Sequence, residues 1–265
     1  MIIDQVPGAD TPERKNRALY IQDLAMRYLK EMRLLFRGGR LTKKDKWRNV
    51  AEHCVVQLAV AEVLSDLLQL TPEEKMRFCT AAAVHDWEKR LEKKKIDDPA
   101  AATLHAQQFL DVLAVDQRLI DATGLASMSA ILKGEEPPFL EKLQWYLDDI
   151  CGNRTIDGKT VSDILPLEER IAEVSARNPH PENEINEHGH SKYQELQGLL
   201  RERNTDYWTV ELAFTKKVER ELWERLGGKA RGIAQPEDVP TFLQTELWNR
   251  VNAYAAVRGH KDKQE

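Results

Sequence analysis

Apolar positions recur at helical spacing along most of the chain. Thr11-Pro12-Glu13 supplies an N-cap, a proline suited to the first helical position and an acidic first turn. A helix is predicted from there to about Phe36, with Leu24, Tyr28, Met32 and Leu35 on one face and Ile21 and Ala25 beside it, ending at Arg37-Gly38-Gly39-Arg40. Between Asn49 and about Leu68 a second stripe forms from Val56, Val60, Val63 and Leu67. His53 lies on that stripe one turn before Val56, so an imidazole faces the interior. Thr71-Pro72-Glu73-Glu74 repeats the start signal and opens a helix through Phe78, Ala82 and His85 to roughly Lys93.

Asp98-Pro99 caps a helix carrying His105, Phe109, Val112 and Leu113, and a short helix follows from about Asp116. Gly134-Glu135-Glu136-Pro137-Pro138 breaks the chain. The next helix runs from Phe139 to Ile150 with Leu140, Leu143, Leu147 and Ile150 as its apolar stripe; Asp148 and Asp149 sit at its end, Asp148 nearer the stripe. Beyond Cys151-Gly152-Asn153 a loop with an Asp157-Gly158 turn is expected, then helices over about 166–177, 190–203, 206–226 and 239–257 and a polar tail from Arg258. No stretch alternates convincingly enough for a strand, and no repeat or low-complexity segment is present. The expected fold is all-α: a helical core over residues 1–160, including the N-terminal helix, with a helical extension over 161–265 packed on it as one compact unit.

Composition narrows the class. With 265 residues, 42% hydrophobic and 31% charged, the chain can bury a substantial core and is far from the disordered regime. A net charge of -5 argues against a general polyanion binder, and there is no strong nucleic-acid signal. Cys54, Cys79 and Cys151 are scattered, with no Cys-x-x-Cys pair, and read as reduced, buried thiols. No basic start leads into an apolar run and no transmembrane segment is visible, so a cytoplasmic protein is expected.

The candidate chemistry lies in Arg48-Asn49-Val50-Ala51-Glu52-His53 and Ala83-Val84-His85-Asp86-Trp87-Glu88-Lys89. Imidazole and carboxylate hold divalent ions and leave positions open for water. Neighbouring residues on a helix diverge by about 100°, so His85 and Asp86 flank one site and Lys89 falls one turn on from both. Either Asp148 or Asp149 can close the set, and the stripe favours Asp148.

The order His53, His85-Asp86, Asp148 resembles the HD-domain superfamily of metal-dependent phosphohydrolases over about residues 45–150. Asn49-Val50-Ala51-Glu52-His53 is close to the version in its nucleotidase-like branch. The resemblance implies an HD-type helical bundle in which one divalent ion (Mn, Co, Mg, Ni, Fe or Zn) rests on His53, His85, Asp86 and Asp148. It implies hydrolysis of a phosphate ester, of a nucleotide or another small phosphorylated metabolite, by a metal-activated water. Lys89 matches the His-Asp-x-x-Lys form, in which the cation contacts the reacting phosphate. The nucleotidase-like branch usually has Glu there and a downstream Gly-Asp pair that is missing here, so deoxynucleotidase specificity does not follow. Arg48 can clamp a phosphate through its planar fork or anchor its helix, Glu88 is a candidate base, and Glu52 a candidate partner of His53.

The remaining motifs carry less. His105 would suggest a second metal, but no His lies between 106 and 147, which favours one. His188-Gly189-His190 reads as a solvated loop and Lys93-Lys94-Lys95 as a charged helix end. Trp145, Tyr146, Trp208, Trp223 and Trp248 read as packing residues, and base stacking is open only to Trp87, beside the His-Asp pair, without being the favoured reading. The competing function is a non-catalytic HD module that binds a nucleotide or a partner. The extension either covers the site or forms a homodimer.

Overall fold

In the computed structural model the residues described are 11–31, 47–87, 108, 110–111, 115–122, 125–156, 159–185 and 190–261. Among them the helices are α1 (Pro12–Arg27), α2 (Trp47–Leu67), α3 (Pro72–Val84), α4 (Gln117–Asp121), α5 (Leu125–Leu132) and α6 (Phe139–Ile150), followed by α7 (Leu167–Arg177), α8 (Gln194–Glu202), α9 (Tyr207–Arg225) and α10 (Val239–Lys261). The protein is predominantly helical, with one small sheet. No helix among the described residues is long and apolar enough to cross a membrane.

The centre of the fold is α2. Residues Cys54 to Ser65 are all buried, and apolar residues lie on every side of the helix with a few polar ones among them. It packs against α1, α3, α6, α10 and both strands. The polar side chains trapped in this run must be bonded, since an unmet buried group costs about 1–3 kcal/mol. Ser65 donates to Ala61 O at 2.7 Å, and Glu62 accepts from Arg27 Nη1 at 3.2 Å and from the Tyr28 hydroxyl at 3.3 Å. The latter pair fixes α1 on α2. Cys54, Cys79 and Cys151 are buried thiols.

Capping is as anticipated at two helix starts. Thr11 Oγ1 accepts from Arg14 N, and Thr71 with Glu74 forms a reciprocal capping box at the start of α3. Three expectations need correction. The first helix is interrupted after Arg27, where Tyr28 leaves helical geometry at φ -103°, ψ 36°; residues 29–31 are helical again, and the expected end at Phe36 lies outside the described residues. α3 ends at Val84 rather than running on through His85, and the expected end near Lys93 lies outside the described residues. The third concerns the segment after α6, which holds an antiparallel hairpin, β1 (Cys151–Ile156) with β2 (Lys159–Ile164), paired from Cys151↔Ile164 to Ile156↔Lys159. A two-residue connection at an Asp-Gly is the strongest short hairpin signal, but Cys-Gly-Asn-Arg lacks the alternation that would have marked a strand. Burial on α2 supplies what local pattern does not.

From the C-terminal part, α9 lies against α6 and α7, and α10 against α1 and α2. The α6–α9 contact is polar as well as apolar. Trp145 Nε1 donates to Glu211 Oε1 at 2.8 Å, and the Tyr146 hydroxyl donates to Glu219 Oε1 at 2.8 Å. At the far end of α6, Lys142 bridges Glu221 at 2.8 Å and Glu136.

Candidate metal centre

Three segments bring ligand-type side chains together because α2, α3 and α6 all pack on one another. His53 projects from α2, Asp148 from the last turn of α6, and His85-Asp86 lie just past the end of α3. His85 keeps helical dihedrals, φ -51° and ψ -34°, as the C-cap. The helical ladder stops there, and the ring turns back so that Nδ1 lies 3.0 Å from Ala82 O. That contact fixes Nδ1 as a donor and directs Nε2 at the other ligands.

The three atoms His53 Nε2, His85 Nε2 and Asp148 Oδ1 form a nearly equilateral triangle. Its sides are 3.2 Å between the imidazoles, 3.2 Å from His53 to Asp148 and 3.4 Å from His85 to Asp148. Asp86 is close by, with Oδ2 3.9 Å from His53 Nε2 and Oδ1 3.7 Å from His85 Nε2. Ligands at about 2.1 Å from one ion are about 3.0 Å apart on adjacent octahedral vertices and about 3.4 Å apart in a tetrahedron. The residues therefore fit a divalent ion in donor type and in spacing, and the group His53, His85 and Asp148 can hold a metal ion. Cys54, His85 and Asp86 form a second such group, but Cys54 Sγ approaches His85 Nδ1, at 3.9 Å, the nitrogen already turned to Ala82.

Electrostatics agree with a cation site. Burial drives His53 toward the neutral form, against the pull of Asp148 and Asp86. Burial would do the same to His85, but Asp86 beside it, with Cys54 and Asp148, overrides this and holds its pKa well above the usual imidazole range. Burial alone would raise Asp148, yet hydrogen bonds from the two imidazoles hold it well below the usual carboxylate range. The carboxylates thus favour positive charge at His85, while His53 is left as a neutral nitrogen. Access is from one side, since the His85 side chain is 1% exposed and that of Asp148 32%.

Asp149 points elsewhere, accepting from Thr215 Oγ1 at 2.5 Å, so of the two aspartates it is Asp148 that stands with His53 and His85. Arg48 lies near the start of α2, N-terminal to His53, with its side chain outside the described residues. Glu88, Lys89, Lys93-Lys94-Lys95, His105 and His188 also lie outside them. Trp87 is only 2% exposed, which removes it as a stacking platform at the surface. His180 pairs with Glu182 at 3.3 Å.

One residue of the site went unread in the sequence. Gln57, fully buried, places Nε2 3.0 Å from His53 Nε2 and 2.8 Å from Asp148 Oδ1. The available signal was a polar side chain one turn after His53 inside Cys54-Val55-Val56-Gln57-Leu58-Ala59-Val60. In comparisons with known proteins, the chain matches no family model, no curated protein and no solved structure.

Proposed function

We propose that this protein is a metal-dependent phosphohydrolase of the HD-domain kind, cleaving a phosphate ester of a nucleotide or another small phosphorylated metabolite. The observation that carries the reading is the triangle of His53 Nε2, His85 Nε2 and Asp148 Oδ1 with sides of 3.2–3.4 Å, flanked by Asp86. A divalent ion, when bound, lowers the pKa of water and polarises a phosphoryl oxygen, the two requirements of phosphoester hydrolysis at neutral pH. The two imidazoles offer neutral nitrogens, and Asp86 and Asp148 bring two negative charges that offset the ion's two positive ones. Asp148, on the open edge, leaves room for the phosphate. Lys89 and Arg48 bind that phosphate, and Glu88 takes the proton released by water.

A panel of phosphorylated metabolites, with Mn, Co, Mg, Ni and Zn supplied separately, tests this by phosphate release. Turnover should appear with at least one ion. The double variant His85→Ala, Asp86→Ala should lose ion binding and turnover while keeping its helical circular dichroism. Undiminished turnover in that variant overturns the proposal. An ion held stoichiometrically with no turnover on any ester would favour a non-catalytic binding module instead.

A further inference from the structure

We infer that Gln57 is itself a ligand of the metal centre, presenting its side-chain carbonyl oxygen between His53 and Asp148. The inference rests on the metal-centre reading above and goes beyond it in naming a ligand that the His, His-Asp, Asp pattern does not contain. A primary amide in the middle of a buried, mostly apolar run of helix is costly unless its polar atoms are engaged. Gln57 ends 3.0 Å from His53 Nε2 and 2.8 Å from Asp148 Oδ1. Those separations match neighbouring vertices of a six-coordinate ion, about 3.0 Å for bonds of about 2.1 Å.

The two ends of an amide have the same shape, so charge decides which one faces the ligands. His53 Nε2 has one lone pair. Once that lone pair is given to a cation, it cannot also accept an N–H from Gln57, and a cation repels the amide's positive end. The carbonyl oxygen therefore takes the inward position and the nitrogen turns outward. The surroundings accommodate this turn. Gln144, also fully buried, sits on the outward side, with Nε2 3.5 Å from Gln57 Oε1, and its own Oε1 has no hydrogen-bond partner. That unmet acceptor is what an outward-facing Gln57 nitrogen needs, and a half-turn of the Gln144 amide brings the two together.

Gln57 thereby changes the chemistry of the centre. A neutral, hard oxygen added to two imidazoles and two carboxylates shifts the set from one suited to four-coordinate zinc toward one suited to six-coordinate ions such as Mn, Mg or Fe(II). It does so without altering the charge balance.

The test is calorimetric titration of the full-length protein with Co and Mn, together with the visible spectrum of the Co form. Wild type should bind one equivalent with the weak absorption of six-coordinate Co. Gln57→Leu should lose affinity about tenfold or more, with absorption intensified as the coordination number falls. Gln57→Glu keeps the oxygen and should match or exceed wild type, and being isosteric it also serves if the Leu variant fails to fold. Two results overturn the inference: Gln57→Leu indistinguishable from wild type in affinity and spectrum, or Gln57→Glu as weak as Gln57→Leu, which would make Gln57 only a donor to Asp148. Wild type that binds no ion at all would instead overturn the metal-centre reading beneath it.

Discussion

Thr215 Oγ1 donates to Asp149 Oδ2 at 2.5 Å, tying α9 to the residue next to the metal-ligand candidate Asp148. Thr215 is fully buried, and burial pushes the Asp149 carboxyl up to about 7 despite the bond from Thr215. Thr215→Val keeps the shape and removes the donor. Leaving a buried carboxyl short of a partner should cost about 1–3 kcal/mol of stability in urea denaturation. Ion affinity measured by calorimetry should fall as well, because Asp148 loses its neighbouring anchor. An unchanged denaturation midpoint would contradict this account of the α6–α9 contact.

Stability should decline as pH rises from the acid side to neutrality and level off above it. Burial pushes Glu219 up to about 7, as it does Asp149. Between the unfolded value, near 4, and that raised value, the folded chain holds more protons than the unfolded one. The stabilisation is complete at low pH and is lost progressively from about 4 to about 7, at up to about 1.4 kcal/mol per pH unit for each group. Glu219→Gln mimics the protonated side chain and can keep the contact with the Tyr146 hydroxyl. Urea unfolding at pH 5.5 and 8.5 should show a smaller loss in this variant than in wild type; equal losses would count against Glu219 as a source.

Ion binding should tighten as pH rises. His85 holds its proton above the usual imidazole range, and Nε2 must give that proton up to become a ligand. Below the raised pKa the apparent affinity should climb about tenfold per pH unit. Calorimetry in buffers of different ionisation heat should count about one proton released per ion. A pH-independent affinity would mean that His85 is not a ligand.

What the sequence could convey divides along physical lines. Helical periodicity located α2, α6, α9 and α10, and the residue types at 53, 85, 86 and 148 signalled a shared site, because ligand chemistry is visible one side chain at a time. The apolar stripe of α6 already leaned toward Asp148 over Asp149, but the partner that engages Asp149, Thr215, is 66 residues away and no local pattern holds that information. Glu211 and Glu219 are 4% and 1% exposed, and nothing in the local sequence of α9 signals it, because their partners Trp145 and Tyr146 come from another helix. The hairpin after α6 is illegible in the sequence for a similar reason, its strands resting on α2 rather than showing alternation.

The two adjacent aspartates have a further consequence. Asp148 and Asp149 leave α6 about 100° apart, one engaged with His53 and His85 and the other with Thr215. Rotating the helix about its axis to improve either contact spoils the other, so α6 has a single permitted azimuth. The bearing of the candidate ligand is thus set from the opposite side of the helix, and a change on α9 can retune the centre without touching it.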